Sequence, residues 1–548
     1  MRQGDLGLCV CRMGVPPMDV CGMGVPPMDV CGMGVPPMDV CGMGVPPMDV
    51  HGRDAQCHSL STKFRFRVVM AWDLRQRIRF PLLSQIDMLP NSDLMTAPEL
   101  DQEFGSAFSM LKEFVDLSQV DVMQPMAKST IYTAYVTLWM LVYQRMHGGV
   151  TLNSAVKNFF EQNADYQSDN KRVREKTLSQ STGGYSAARK RLKPEVTEWF
   201  FDQIANSIIA TTKPTLGSQR VFIIDGTTIS LAPTAALKRQ FPPASNASGE
   251  SAWPILSLVV AHELETGCAL MPEMGAMYGK NAVSETHLCK AVFGRLPPNS
   301  IAMLDAGFGI FSVVYAAIKD GHDVVSRLTE QRFNSLVRTA VLVDQCGENK
   351  TWKLQWQPTA HDRRTTPNLP LDTKLEVYLH QIQVAGEGVL YIVTTLEQSR
   401  IVIANLYAKR VDVETDIRSI KVTMDIERMR GKSEPIVITE LLTSLVAYNL
   451  VIQFRRQAAK LAHVEPRRLS FTSVWNTFNI ILLPHLHTTP QAWRKAYQRA
   501  LVVASKDLLP NRPAHRNFPR KTILRRRKST DESDGKRKAI QTPAPPLG

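Results

Sequence analysis

At Arg220 the hydrophobic pattern changes period, and this change restricts the possible fold more than any other feature of the 548-residue chain. Before it, from about residue 101 to 212, apolar residues recur at helical spacing. Leu152, Ala155, Val156, Phe159 and Phe160 follow i, i+3, i+4, i+7 and i+8 behind Thr151, a residue suited to capping a helix. After it come apolar runs of strand length. RVFIIDGTTISL predicts a buried strand, and PILSLVVAHEL and GCALMPEMG predict two more. Ser284 to Phe293 predicts a helix, SIAMLDAGFG a fourth strand, Phe311 to Lys319 a second helix and HDVVSRL a fifth strand.

Three strands, a helix, a strand, a helix and a strand is the order of a ribonuclease-H-like fold, an α/β class with a mixed sheet flanked by helices. A β-rich insertion at 334–405 interrupts it: TWKLQWQ places Trp352, Leu354 and Trp356 on one face, and LEVYLHQIQV and GVLYIVTTL follow. Long helices resume after Leu406 and run to about His463. The expected plan is a leader at 1–69, a helical domain at 100–212, and the ribonuclease-H-like domain in two parts, 218–333 and 406–465, around the insertion. A C-terminal helical region at 466–504 and a basic disordered tail at 505–548 complete it.

The leader repeats the decapeptide MGVPPMDVCG four times between residues 13 and 50. A Pro-Pro pair every ten residues blocks both helix and central strand, and units this short cannot stack a core, so disorder is expected. The near-identity of the copies points to a recent tandem duplication, with Met70 and Met88 as alternative starts. Cys and Met suit Cu(I), but nothing on such a chain converges them. The three cysteines beyond residue 57, Cys268, Cys289 and Cys346, have neither disulfide-framework nor CxxC spacing and read as buried thiols.

Ile131 to Tyr143 is too short to span a bilayer, and Ile436 to Phe454 carries Glu440 and Asn449, so both read as core helices. No secretory signal is evident, and a cytoplasmic location without a membrane partner is expected. The formal net charge of +14 favours a polyanionic partner. From Ser505 onward twelve Lys/Arg face four Asp/Glu, a local excess of +8 that serves either solubility or non-specific phosphate contact. The trio Arg189, Lys190 and Arg191, on a short basic helix after a Gly-broken turn, is likewise either a solvated face or a DNA contact.

Asp225 stands in IIDGTT and Asp305 in AMLDAGFG, each where an apolar strand gives out. Carboxylates at strand ends are suited to holding two divalent cations about 3.5–4 Å apart for in-line phosphoryl transfer, although Asp before a small residue is also a common turn former. Tyr407, Arg410, Glu414 and Lys421 are spaced so that, on a uniform α-helix, they fall within an arc of about 60°. That face is either a solvated salt-bridging surface, with Glu414 paired to Arg410 or Arg418, or a functional one.

Tyr407-x2-Arg410-x3-Glu414-x6-Lys421 resembles the signature of the insertion-sequence 4 family of DDE transposases. IIDGTT and LDAGFG resemble that family's two Asp motifs, and VVSRL and LVAYNLVIQF further segments of it, so that the resemblance runs from about Ser181 to Leu461. Ala306 departs from it, since many members carry a basic residue there. The resemblance implies metal-dependent excision and strand transfer, with Asp225, Asp305 and Glu414 holding two Mg²⁺ ions, for which Mn²⁺ can substitute. Tyr407, Arg410 and Lys421 would grip phosphates, with Arg418, Arg189 and Arg191 as further DNA contacts, which makes 100–212 a DNA-binding domain and 218–333 with 406–465 the catalytic domain. Arg410 and Lys421, about 16 Å apart along such a helix, would meet different phosphates. Trp352 or Trp356 would stack on a flipped base, or else be core. The implied partners are double-stranded DNA with terminal inverted repeats, target DNA and a second copy of the chain in a synaptic homodimer, and the implied location is nucleoid-associated. A nuclease of this fold without strand transfer, and an inactive DNA-binding remnant, are the alternatives.

Overall fold

The computed structural model describes residues 115–510, apart from 128, 149, 162–169, 176, 247–248, 367, 385–387, 428 and 486–489. The decapeptide leader and residues 511–548 of the basic tail lie outside the described residues, whereas 505–510, expected to be disordered, are tied down: Ser470 N donates to Asp507 O and Leu509 N to Arg468 O, both at 2.8 Å. The helical segment opens with α1 (Leu117–Met123), α2 (Ala134–Met146), α3 (Leu152–Glu161), α4 (Gly183–Arg191) and α5 (Pro194–Ala210). Thr151 caps α3 as its position suggests, its hydroxyl accepting from Ser154 N at 3.1 Å. Thr133 does the same for α2, and Pro194 stands at the start of α5, where a missing N–H costs nothing.

The strands follow at the change of period: β1 (Val221–Ser230), β2 (Pro243–Asn246), β3 (Gly249–Glu263), β4 (Glu273–Ala276), β5 (Ile301–Leu304), β6 (Asp323–Arg327), β7 (Val341–Cys346), β8 (Asn349–Trp356), β9 (Leu375–Val384) and β10 (Gly388–Thr394). β3 runs antiparallel to β1 and β4 antiparallel to β3, while β5 and β6 add in parallel on the other side of β1. This is the ribonuclease-H-like arrangement expected from the pattern. The insertion does not form a sheet of its own. β10 pairs antiparallel with β6, Val393 opposite Ser326, so β10-β9-β8-β7 prolong the same sheet. β2 and β7 are too short or too irregular in pattern to stand out in the sequence, and of the strand expected over 267–275 only the end forms one, β4.

Alternation along the strands sorts the core into two faces. Phe222, Ile224, Ala302, Leu304 and Val324 pack beneath α6 (Glu285–Phe293) and α7 (Phe311–Lys319). Val221, Ile223, Ile301, Met303 and Val325 face the other way, onto Leu406, Val413 and Ile417 of α8 (Arg400–Ala408) and α9 (Asp412–Arg418). The long helix α10 (Glu434–Leu461) then crosses to α2 and α5, so the N-terminal helices share the main core and keep only a satellite cluster around Tyr132, Phe159 and Tyr185.

α10 is long and apolar enough to cross a membrane by composition, but 83% of its apolar window is buried within the fold. Its polar residues explain the difference. Asn449 exchanges two hydrogen bonds with the backbone of Ala269, both 2.9 Å, and Glu440 pairs with Arg145 at 3.2 Å. Cys268 and Cys289 are buried as expected, but Cys346 is exposed. It ends β7, a terminal strand whose residues are exposed on both faces, so no layer covers the thiol.

Candidate active site

β1 continues beside β3 as far as Ser230, opposite Ile255, but its pairing with β5 ends at Ile223 and Met303. The two parallel strands therefore part just before Asp225 and Asp305. Asp225 lies within β1 rather than at its end, and only its β5 side opens. Asp305 follows Leu304 directly, and its carboxylate accepts from Gly307 N at 2.7 Å, which folds the chain back in an Asp-stabilised turn. Ser326 Oγ donates to Asp305 O at 3.1 Å and Arg332 Nη1 donates to Ala306 O at 2.5 Å. Arg332 thus brings positive charge to the turn where Ala306 has none. The turn passes so close to β6 that a Cβ at Gly309 would lie 2.5 Å from Arg327 O.

The segment bearing the third acidic residue is not a uniform α-helix. α8, capped by Ser399, passes into a 3₁₀ turn at Lys409–Val411, then α9, then a π-helical turn at Ser419–Thr423. Each change of winding moves the residues beyond it off the face that a constant 100° per residue predicts. The expected four-residue stripe accordingly breaks up. Tyr407 is buried, which pushes its hydroxyl up to about 12, but it stays beside Arg410 and the strand-end carboxylates, whose charges act on it. Lys421 turns toward β1 and donates to Thr228 O at 3.0 Å while pairing with Glu427 at 2.9 Å.

Arg410 and Glu414 remain together and meet the strand ends. Arg410 Nη2 lies 3.1 Å from Asp225 Oδ2 and 3.9 Å from Asp305 Oδ2, and Nη1 lies 3.7 Å from Glu414 Oε1. One guanidinium, its side chain 9% exposed, thus stands among three carboxylates. Burial alone would lower its pKa, but Asp225, Tyr407, Asp305 and Glu414 more than offset this and hold it above the usual value. Glu285, at the start of α6, is a further acid that the motif spacing did not reveal. Its carboxylate presses on β1 beside Asp225, where a Cβ at Gly226 would lie 1.8 Å from Oε1.

The other expected contacts lie apart from this cluster. Trp356 is 7% exposed and packs edge-on to Phe311 at 5.6 Å, as a core residue, and half-buried Trp352 meets Phe333 edge-on at 5.5 Å. Arg418 and Arg191 are exposed, and the guanidinium of half-buried Arg189 lies 6.0 Å from the Tyr185 ring centre.

Three carboxylates supply only hard oxygen donors, the chemistry that Mg²⁺ and Mn²⁺ prefer. Among the described residues no three His, Cys, Asp or Glu side chains are close enough to hold an ion as they stand. The guanidinium stands between those three, so the donor set fits such ions once Arg410 moves.

The fold defines the class as an α/β domain of ribonuclease-H-like type. Residues 216–450 match the family model for the transposase DDE domain, which supports a DDE transposase. The match begins just before β1 and ends inside α10, leaving α1–α5 and everything after Leu450 outside it. No curated protein matches the chain.

Proposed function

We propose that the chain is a transposase of insertion-sequence 4 type, excising a DNA element and joining it to target DNA, with Asp225, Asp305 and Glu414 as the metal-holding residues. The observation that carries this is their convergence, from two strands and a covering helix, on the single buried guanidinium of Arg410. Three carboxylates gathered around one guanidinium repel one another, and divalent cations bound among them would relieve that repulsion. Two Mg²⁺ ions bound there would activate a water or 3′-hydroxyl and stabilise the leaving oxygen. The substrates are double-stranded DNA with terminal inverted repeats and target DNA, brought together by two copies of the chain.

Arg410 has two successive partners in this reading. Without DNA its guanidinium bridges the carboxylates, and when they bind cations the same fork turns to a phosphate beside the scissile bond, where its planar donors suit bidentate contact. Lys421, beside Thr228 further along β1, contacts a different phosphate. The test is cleavage of an element-end duplex with Mg²⁺ by Asp225→Asn, Asp305→Asn and Glu414→Gln. Each is expected to lose at least about a thousandfold in rate while retaining DNA binding. A variant that cuts at the wild-type rate removes its residue from the set. Cleavage by the wild-type protein without joining to target DNA would replace transposase by nuclease.

A further inference from the structure

The face of α9 turned away from Glu414 carries a second group of buried charges. Asp412 and Asp416 are one turn apart, and at about 100° per residue each lies roughly 160° around the axis from Glu414. Arg467, in the short 3₁₀ turn Pro466–Arg468 beyond α10, grips both. Its Nη1 and Nη2 lie 3.0 and 2.8 Å from the two carboxylate oxygens of Asp416, and its Nε lies 3.7 Å from Asp412 Oδ2. The same guanidinium donates to Leu264 O at 2.5 Å and to Glu263 O at 3.2 Å, at the end of β3.

Those two carbonyls matter because β3 is the partner of β1. Glu263 pairs with Phe222, three residues before Asp225. Arg467 therefore joins the helix carrying Glu414 to the strand pair carrying Asp225 through one rigid fork. The surroundings hold that fork closely. At Gly267, with φ +87°, a Cβ would lie 3.0 Å from Asp416 Oδ1 and 3.1 Å from Arg455 Nη2, so only glycine fits. Arg455 donates to Thr266 O at 2.6 Å, Tyr448 donates to Gly267 O at 3.0 Å, and His262 Nδ1 lies 3.8 Å from Asp416 Oδ2.

We propose that Arg467 is a positioning residue for Glu414: by fixing Asp412 and Asp416 against the end of β3 it sets the height of Glu414 above Asp225 and Asp305. The inference rests on the reading of Glu414 as a metal ligand. It assigns a role at the catalytic centre to a residue outside the 216–450 match. Partners that orient metal ligands without touching the ion typically change its affinity by about 10- to 100-fold when removed.

The experiment is calorimetric titration of the DNA-free full chain with Mn²⁺, comparing wild type, Arg467→Gln, Arg467→Lys and Glu414→Gln, with folding checked by circular dichroism. Arg467→Gln is expected to weaken Mn²⁺ binding about tenfold or more while remaining folded. Arg467→Lys is expected to recover only part of the loss, since a point charge cannot span the carboxylates and the two carbonyls. A melting temperature that falls while Mn²⁺ affinity stays within about twofold of wild type would show a purely structural role and overturn the proposal. Should Arg467→Gln fail to fold, Asp416→Asn, which keeps size and a hydrogen-bond acceptor, is measured and decided in the same way. If Glu414→Gln binds Mn²⁺ like wild type, the metal-ligand reading falls and this inference with it. If only the Arg467 and Asp416 variants match wild type, the inference alone fails.

Discussion

The two faces of α9 hold buried charge in opposite ways. On one, Arg410 faces Asp225, Asp305 and Glu414, one guanidinium shared by three acids. On the other, Arg467 and Arg455 stand with Asp412 and Asp416, two cations with two acids, and the nearby Glu263 is pushed toward its neutral form by burial. Buried charge costs several kcal/mol per ion unless compensated, so a permanent support has to balance its charges internally. A site that receives cations has to leave some of its charge unbalanced. Three residues of one short helix, Asp412, Glu414 and Asp416, thus serve a fixed anchor and a site awaiting ions, because every second position points to nearly the opposite side.

The sharpest contrast lies between Asp416→Ala and Glu414→Ala. The first leaves Arg467 buried beside only the more distant Asp412 and is expected to cost about 3–5 kcal/mol, seen as a large fall in melting temperature. The second relieves crowding of like charge around Arg410 and is expected to change metal-free stability by less than about 1 kcal/mol while abolishing cleavage. Equal destabilisation by both would erase the distinction between the faces.

A smaller effect is expected from Arg410→Ala. Its three carboxylates lose a guanidinium close to all of them, so the metal-free protein should melt lower and gain more from saturating Mn²⁺ than wild type does. A Mn²⁺-induced rise no larger than that of wild type would mean that Arg410 does not stand in for metal charge. In DNA binding, Arg410→Ala should lower the salt slope by about one unit. Lys421→Ala should do the same or less, since Lys421 also holds Glu427 and Thr228. Unchanged affinity and slope for both would remove the phosphate contacts from the reading.

The smallest effect expected is one of pH on the anchor. His262 is fully buried, and burial lowers its pKa more than Asp416 and Gly267 raise it. A histidine with a folded pKa below the unfolded value of about 6.5 costs stability only when the unfolded chain takes up a proton. The melting temperature should therefore be flat above that pH and decline below it, down through the lowered folded value. A His262→Gln variant with the same decline would assign it to other groups.

The sequence by itself determined the order of strands and helices, because apolar period is a local property: the runs around Val221–Ile224, Ile301–Leu304 and Val324–Val325 read as buried strands and are, and Phe311–Lys319 was legible to the residue. It also marked Asp225, Asp305 and Glu414 as candidates, the first two where apolar runs give out and the third through a resemblance of motif, although Asp225 proved to lie inside β1. It did not show that the insertion would extend the same sheet, since β10 meets β6 through pairing between residues 67 positions apart, Val393 and Ser326. It did not show the changes of winding at Lys409 and Ser419, which no periodic pattern announces and beyond which Lys421 turns toward β1. Least of all did it show Arg467, some fifty residues beyond the helix it supports. Local chemistry identifies which side chains are able to ionise, but which of them are buried together, and whether their charges balance, is decided only when distant segments close around them.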